Sequence, residues 1–209
     1  YIILSIFSSI SLQGDEPDQG AIVKDMQDRW ATVNYQKKSK QQKESFKQLV
    51  KDADKQAELY PDSAQILIWS GIINSSYAGV ASTLSAMSYA KQAKTFFEKA
   101  MVIDADALSG SAYTSLGTLY YKVPGGFFGF GDDDKAAELL LKGLSINPNG
   151  IDSNYFYADY LYEEKKYEEA KKYLQIALKS PARPERPTAD KGRRNDIMKL
   201  LAVIDSKLD

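Results

Sequence analysis

The chain has 209 residues, with 44% apolar and 26% charged side chains, the profile of a folded protein rather than a disordered one. Lys and Arg number 27 against 28 Asp and Glu, so no whole-molecule field draws it onto nucleic acid or an anionic membrane. Histidine and cysteine are absent, which removes the usual general base, thiolate nucleophiles, the common zinc ligands, disulfides and a thiol for lipid attachment.

Residues Tyr1 to Leu12 (YIILSIFSSISL) are apolar and uncharged. They read as the remainder of a secretory signal, with Ser9-x-Ser11 as the small-residue cleavage pattern and the turn-rich GDEPDQG behind it. The stretch is too short to span a bilayer. Residues 1–20 are therefore assigned to signal and linker, and the mature protein to a periplasm or cell envelope, with no lipid anchor expected. Ile22, Met26, Trp30 and Val33 then recur at helical period and mark an opening helix.

From residue 21 to 182 the chain repeats. The last repeat, Ile151 to Ala182, is the clearest, with small residues at Ala158, Ala170 and Ala177 and Leu174 between the last two. Spacings of twelve, four and three match a tetratricopeptide repeat, whose period is about 34 residues. Two antiparallel helices approach closely only where small side chains face each other and a large one fills the adjoining hole. The same register appears at Leu49, Ala53 and Gln56 before Tyr60-Pro61, at Ala93, Phe97 and Ala100, and at Ala136, Leu140 and Gly143 before Asn147-Pro148. Gly71 and Gly117 hold the close-approach position of the preceding helices. Two repeats are stretched. Gly71 to Ala93 is expected to lengthen both its helices, and Gly117 to Ala136 inserts the loop VPGGFFGFGDDD.

Residues 183–209 follow as a Pro/Arg-rich strap and a closing helix starting at Thr188 or Asp190, the cap that terminal repeats require. The expected fold class is all-α, a tetratricopeptide-like helical-hairpin solenoid with a C-terminal capping helix.

The run Val123-Pro124-Gly125-Gly126, Phe130-Gly131-Asp132-Asp133, Pro148-x-Gly150-Ile151-Asp152, Asn154-Tyr155-Phe156-Tyr157 and Pro181-x-Arg183-Pro184 resembles a bacterial tetratricopeptide family. That family is related to the T component of tripartite ATP-independent periplasmic transporters. The resemblance covers about residues 29 to 208 and is most specific between Pro124 and Tyr157. It implies a periplasmic helper that forms homo-oligomers and associates with the solute-binding subunit of a transporter for organic acids or other small hydrophobic ligands. T components are typically lipoproteins, and the sequence here offers no cysteine to acylate.

By repeat register the concave face carries Ser111, Thr114, Thr118 and Tyr121 from one first helix and Asp152, Tyr155, Asp159 and Tyr162 from the next. Phenols, hydroxyls and carboxylates suit a peptide or polar ligand, because tyrosine gives rigid area with a hydrogen-bonding tip. The candidate ligand or partner site is Thr118, Tyr121, Asp152, Tyr155, Asp159 and Tyr162. The alternative is that the tyrosines are inter-helix packing.

Phe127, Phe128 and Phe130 lie among four glycines. Exposed, they would form a partner contact; the favoured expectation is that they fold back on the helix pair, with glycines supplying positive φ. Asp132, Asp133 and Asp134 read as the N-cap and first turn of the next helix rather than a calcium site. Four arginines between Arg183 and Arg194 read as surface ion pairs pinning the strap, against the alternative of a clamp for a carboxylate or phosphate.

These readings converge on a non-catalytic binding helper without cofactor or metal. An alternative is a scaffold docking peptide segments of an envelope assembly. A further one is a carboxylate enzyme using Asp132, Asp133 and Glu138. Nucleic acid is not an expected partner, since the basic patch lacks interleaved aromatics.

Overall fold

The computed structural model describes residues 18–208, so the signal expectation for residues 1–12 lies outside it. The described residues are all-helical. Nine α-helices run α1 Gln19–Gln36, α2 Ser39–Leu59, α3 Ala64–Ala78, α4 Thr83–Asp104, α5 Ala107–Lys122, α6 Asp133–Ile146, α7 Ile151–Glu163, α8 Tyr167–Lys179 and α9 Pro187–Leu208. They pack as adjacent pairs, α1 on α2, α3 on α4, α5 on α6 and α7 on α8, with α9 on α8.

The expected small–large–small register sits at the heart of three pairs. Phe97 and Leu174 are fully buried and Leu140 is nearly so, each flanked by buried Ala or Gly. A Cβ added to Gly71 would lie 2.5 Å from the Phe97 ring, and one on Gly117 would lie 2.8 Å from Leu140 Cγ. Glycine is thus required by distance at both crossings. Burying a side chain such as Phe97 contributes about 1.5–3 kcal/mol.

Two expectations need correction. In α2 the third position is filled by buried Ala57 rather than half-buried Gln56, and Phe46 and Val50 complete its inner face. In the stretched second pair only α4 is lengthened, to 22 residues, whereas α3 keeps 15. The reason is that α3 ends in the Gly79-Val80 turn, and the added residues extend the outer helix alone.

The junction between α4 and α5 is a left-handed turn. Leu108, Ser109 and Gly110 all have positive φ, at 50°, 57° and 72°. A Cβ on Gly110 would also crowd Ile146 at 2.9 Å.

The loop from Asn147 to Gly150 is fastened by side chains of the next pair. Ser153 donates to the Asn147 carbonyl at 2.6 Å, buried Asn154 donates to the Pro148 carbonyl at 2.9 Å, and Ser180 donates to the Asn149 carbonyl at 2.7 Å. Asp132 caps α6 by accepting from the Lys135 amide, with Asp133 and Asp134 in its first turn, as expected.

The last helix reaches the first. α9 packs against α1 as well as α7 and α8, and starts at Pro187, slightly before the expected Thr188 or Asp190. Gly192 is the crossing point, since any Cβ there would run into the Tyr35 ring. Ala189 of α9 joins the buried cluster built from α1, α2 and α3, where Trp30 stands edge-on to Tyr35 and Trp69. The row of first helices is thereby closed into a ring.

Candidate functional site

The ring of first helices encloses an open cavity of about 940 Å³, within the usual size range for small-molecule sites. α1 contributes Gln27 and Trp30, α3 contributes Trp69, Ile72, Ser75 and Ser76, and α5 contributes Ser111, Thr114, Ser115 and Thr118. α7 adds Asp152, Ser153 and Phe156, while the strap and α9 close the wall with Arg183, Arg186 and Arg193. One side is apolar with hydroxyls; the other is charged.

The hydroxyls are held in place by their own helices. Ser76 donates to the Ile72 carbonyl and accepts from the Trp30 indole at 2.9 Å, and Thr118 donates to the Thr114 carbonyl at 2.8 Å. Such back-bonded hydroxyls satisfy their own donor within the helix.

The charged side is a network. Asp152 receives Arg183 Nη1 at 2.9 Å and Arg193 Nε at 2.8 Å. Arg183 also grips Asp190 through Nε at 2.7 Å and Nη2 at 2.6 Å, and Arg193 reaches Asp196 at 3.4 Å. Burial opposes the charge on Asp152, yet Arg193 and Arg183 outweigh it and hold the carboxyl well below its ordinary range. Arg193 is itself desolvated, but Tyr35, Asp152 and Tyr155 keep it firmly protonated. Its guanidinium lies 4.2 Å from the Tyr155 ring centroid and 4.6 Å from that of Phe156. Burial also pushes the Tyr35 phenol up to about 12. Arg194 donates to the Leu178 and Ser180 carbonyls and so closes the end of α8. The expectation of a surface cluster is therefore corrected, because Arg193 is only 7% exposed and the network is the seam between α7 and α9.

Of the six residues singled out on the concave face, Thr118 and Asp152 line the cavity. The other four do not. Tyr121 donates to Asp159 at 2.7 Å, and Lys122 pairs with the same carboxylate at 2.9 Å. Burial and Asp159 both push the Tyr121 phenol well up. This pair joins α5 to α7 directly. Tyr155 is covered by Arg193, and Tyr162 packs on Tyr167 within its own hairpin. Repeat register placed them on the correct side of the helices, but the α5–α7 contact and the arrival of α9 use up their surfaces.

The aromatic loop divides. Phe130 folds back edge-on to Tyr120 at 5.7 Å, whereas Phe127 and Phe128 are 97% and 81% exposed, against the expectation that all three fold back. The loop neck closes where the Gly131 amide donates to the Pro124 carbonyl at 3.0 Å, which turns the two outer rings away from the body. Side chains on Gly129 or Gly131 would collide with the Pro124 and Val123 carbonyls, so close approach demands these glycines; only Gly126 uses positive φ, at 67°.

The residues missed from the sequence are Trp69 and Ile72, while Trp30 is read there only as part of an opening helix and Arg186 only within the arginine cluster. α3 is buried on nearly all sides, and a helix apolar all round sits at the centre of its domain, a signal present in ILIWSGIINSSY. A second hollow of about 310 Å³ lies between α1 and α2, where Arg29 is already paired with Asp25 and Asp52. Among the described residues there is no group of three His, Cys, Asp or Glu placed to hold a metal, and no helix long and apolar enough to cross a membrane. No family model and no curated protein matches the chain.

Proposed function

We propose that the chain is a non-catalytic binding protein, a tetratricopeptide-like solenoid capped by α9, that holds a small, largely apolar ligand inside its ring of first helices. The observation that carries this reading is the cavity of about 940 Å³ with indole, isoleucine and hydroxyl groups on its wall. Such walls gain from excluding water while a few fixed polar groups set orientation. Asp132, Asp133 and Glu138, the carboxylates of an enzymatic reading, are not among the residues that line it.

The role of an envelope helper beside a transporter's solute-binding subunit is the specific version of this reading. It rests on the sequence resemblance, and it brings with it export, association with that subunit and self-association. A protein-docking role, as in a scaffold for envelope peptides, is supported by the exposed Phe127 and Phe128 pair, whose rings stand edge to face at 5.5 Å.

The two tryptophans of the chain both line the cavity, so they report on its contents. Titration with decanol should shift tryptophan emission saturably, and native mass spectrometry of gently purified protein should reveal a bound small molecule. A protein that carries no such mass and whose emission ignores decanol is not a ligand carrier.

A further inference from the structure

We infer that Arg186 and Trp69 form an oxyanion subsite, so that the ligand of this cavity carries a negatively charged head group on an apolar tail. The inference rests on the ligand-cavity reading above and assigns its chemistry.

Four arginines crowd the strap and the start of α9, and three are fully employed. Arg183 and Arg193 divide Asp152, Asp190 and Asp196 between them, and Arg194 serves two carbonyls at the end of α8. Arg186 has no carboxylate within ion-pairing distance and no hydrogen-bond acceptor for its guanidinium among the described residues, and the longer-range pull of Asp152 and Asp190 is opposed by Arg183 and Arg193. Its Nε is buried, and its charge lies 5.0 Å from the centroid of the Trp69 ring. The indole Nε1 of Trp69 is likewise buried without an acceptor. Both side chains line the cavity.

Two neighbouring N–H donors, one of them on a cation, are therefore left wanting acceptors in the same wall. Leaving a buried donor unpaired is costly, and a charged one more so. An oxyanion answers both demands: its lone pairs accept from the guanidinium fork, and its charge offsets the one cavity-lining arginine that forms no ion pair. A neutral polar group would satisfy hydrogen bonds but leave the charge. Glu185 also lines the cavity, but it is exposed and forms no ion pair with Arg186, so it stays solvated. The tail has an apolar wall to lie against in Ile72, Leu108 and Leu119. The cation–π contact with the indole holds the guanidinium against this wall.

The test titrates the full chain with decanol, decanoate and decyl phosphate near neutral pH, following tryptophan emission and heat. At least one of the two anions should bind about ten-fold more tightly than decanol, the gain expected of a hydrogen bond to a charged group. Whether decanoate or decyl phosphate wins distinguishes carboxylate from phosphate head groups. R186Q should erase the preference of the anions over decanol, with an unchanged circular dichroism spectrum. Decanol bound as tightly as both anions by the wild type overturns the subsite while sparing the ligand cavity. A preference that survives in R186Q also overturns it. Failure of all three probes overturns the cavity reading itself. Should R186Q unfold, the wild-type ratio and its weakening by salt still decide the matter.

Discussion

The outer helices α4, α6 and α8 repeat one motif, whereas the inner helices α3, α5 and α7 share almost nothing beyond a small residue at the crossing. Ala93-Phe97-Ala100, Ala136-Leu140-Gly143 and Ala170-Leu174-Ala177 are all buried. Inside, α3 presents indole, isoleucine and serine, α5 presents hydroxyls, and α7 presents Asp152 and Phe156. The contrast separates two jobs. Interfaces between paired helices admit one packing solution and repeat it; the cavity wall is free to diverge because its contacts are with whatever fills the ring. The largest effect should therefore come from the repeated motif. Phe97→Ala removes a fully buried ring against Gly71 and should cost about 3–5 kcal/mol in urea melts. A loss below about 1 kcal/mol would mean the pair collapses freely into the gap.

Overpacking the same motif comes next. Ala170 is fully buried beside Leu174, so Ala170→Leu should cost about 1–3 kcal/mol. Exposed Glu168 in the first turn of the same helix should cost less than about 0.5 kcal/mol on change to Ala. Equal losses would erase the distinction between the packed and open faces of α8.

This division also explains what could be read in advance. Helix pairs, their order and the loop at residues 123–132 follow from local spacing, because Ala, Leu and Gly at fixed intervals suffice to specify a crossing. The aspartate cap of α6 was equally local. The cavity was half legible. Thr118 and Asp152 were placed on its wall by register, but Tyr121, Tyr155, Asp159 and Tyr162 were not excluded from it. Their fate depends on α9 returning to α1 through Gly192 and Tyr35, a contact between residues far apart in sequence. Nothing in the periodicity of either helix announces that closure. The same long-range step turned an apparently superficial arginine cluster into a buried seam.

The seam should show in pH dependence. The Asp152 carboxyl is held below its ordinary range when folded, so the unfolded chain takes up its proton more readily. The stability it contributes is complete above the unfolded value of about 3.9 and is lost as pH falls toward the lower folded value. Asp152→Asn should therefore be less stable than the wild type near neutrality. Because about a third of Asp152 remains in water, the gap should be moderate, about 1–3 kcal/mol. It should narrow steadily below about pH 4. Urea midpoints measured over that range supply the check, and a gap independent of pH would assign the seam's value to shape rather than charge.

The sharpest comparison lies on one turn of α3. Ile73 is fully buried in the cluster with α1 and α2, whereas its neighbour Ile72 is partly exposed and looks into the cavity. Truncating Ile73 to Ala opens a new hole in close-packed surroundings and should cost about 2–5 kcal/mol. Truncating Ile72 only widens space that is already there, so most of the cavity penalty is absent and the loss should stay below about 1.5 kcal/mol. The ligand reverses that order. Decanol affinity should fall in Ile72→Ala, since a tail lying along α3 loses part of its apolar contact, about 0.8 kcal/mol for each methylene-sized contact given up. Ile73→Ala, measured where it remains folded, should bind decanol as the wild type does. If both variants lose stability equally and neither changes decanol affinity, the inner and outer faces of α3 are not different kinds of surface. The ring would then be a by-product of helix packing rather than a site.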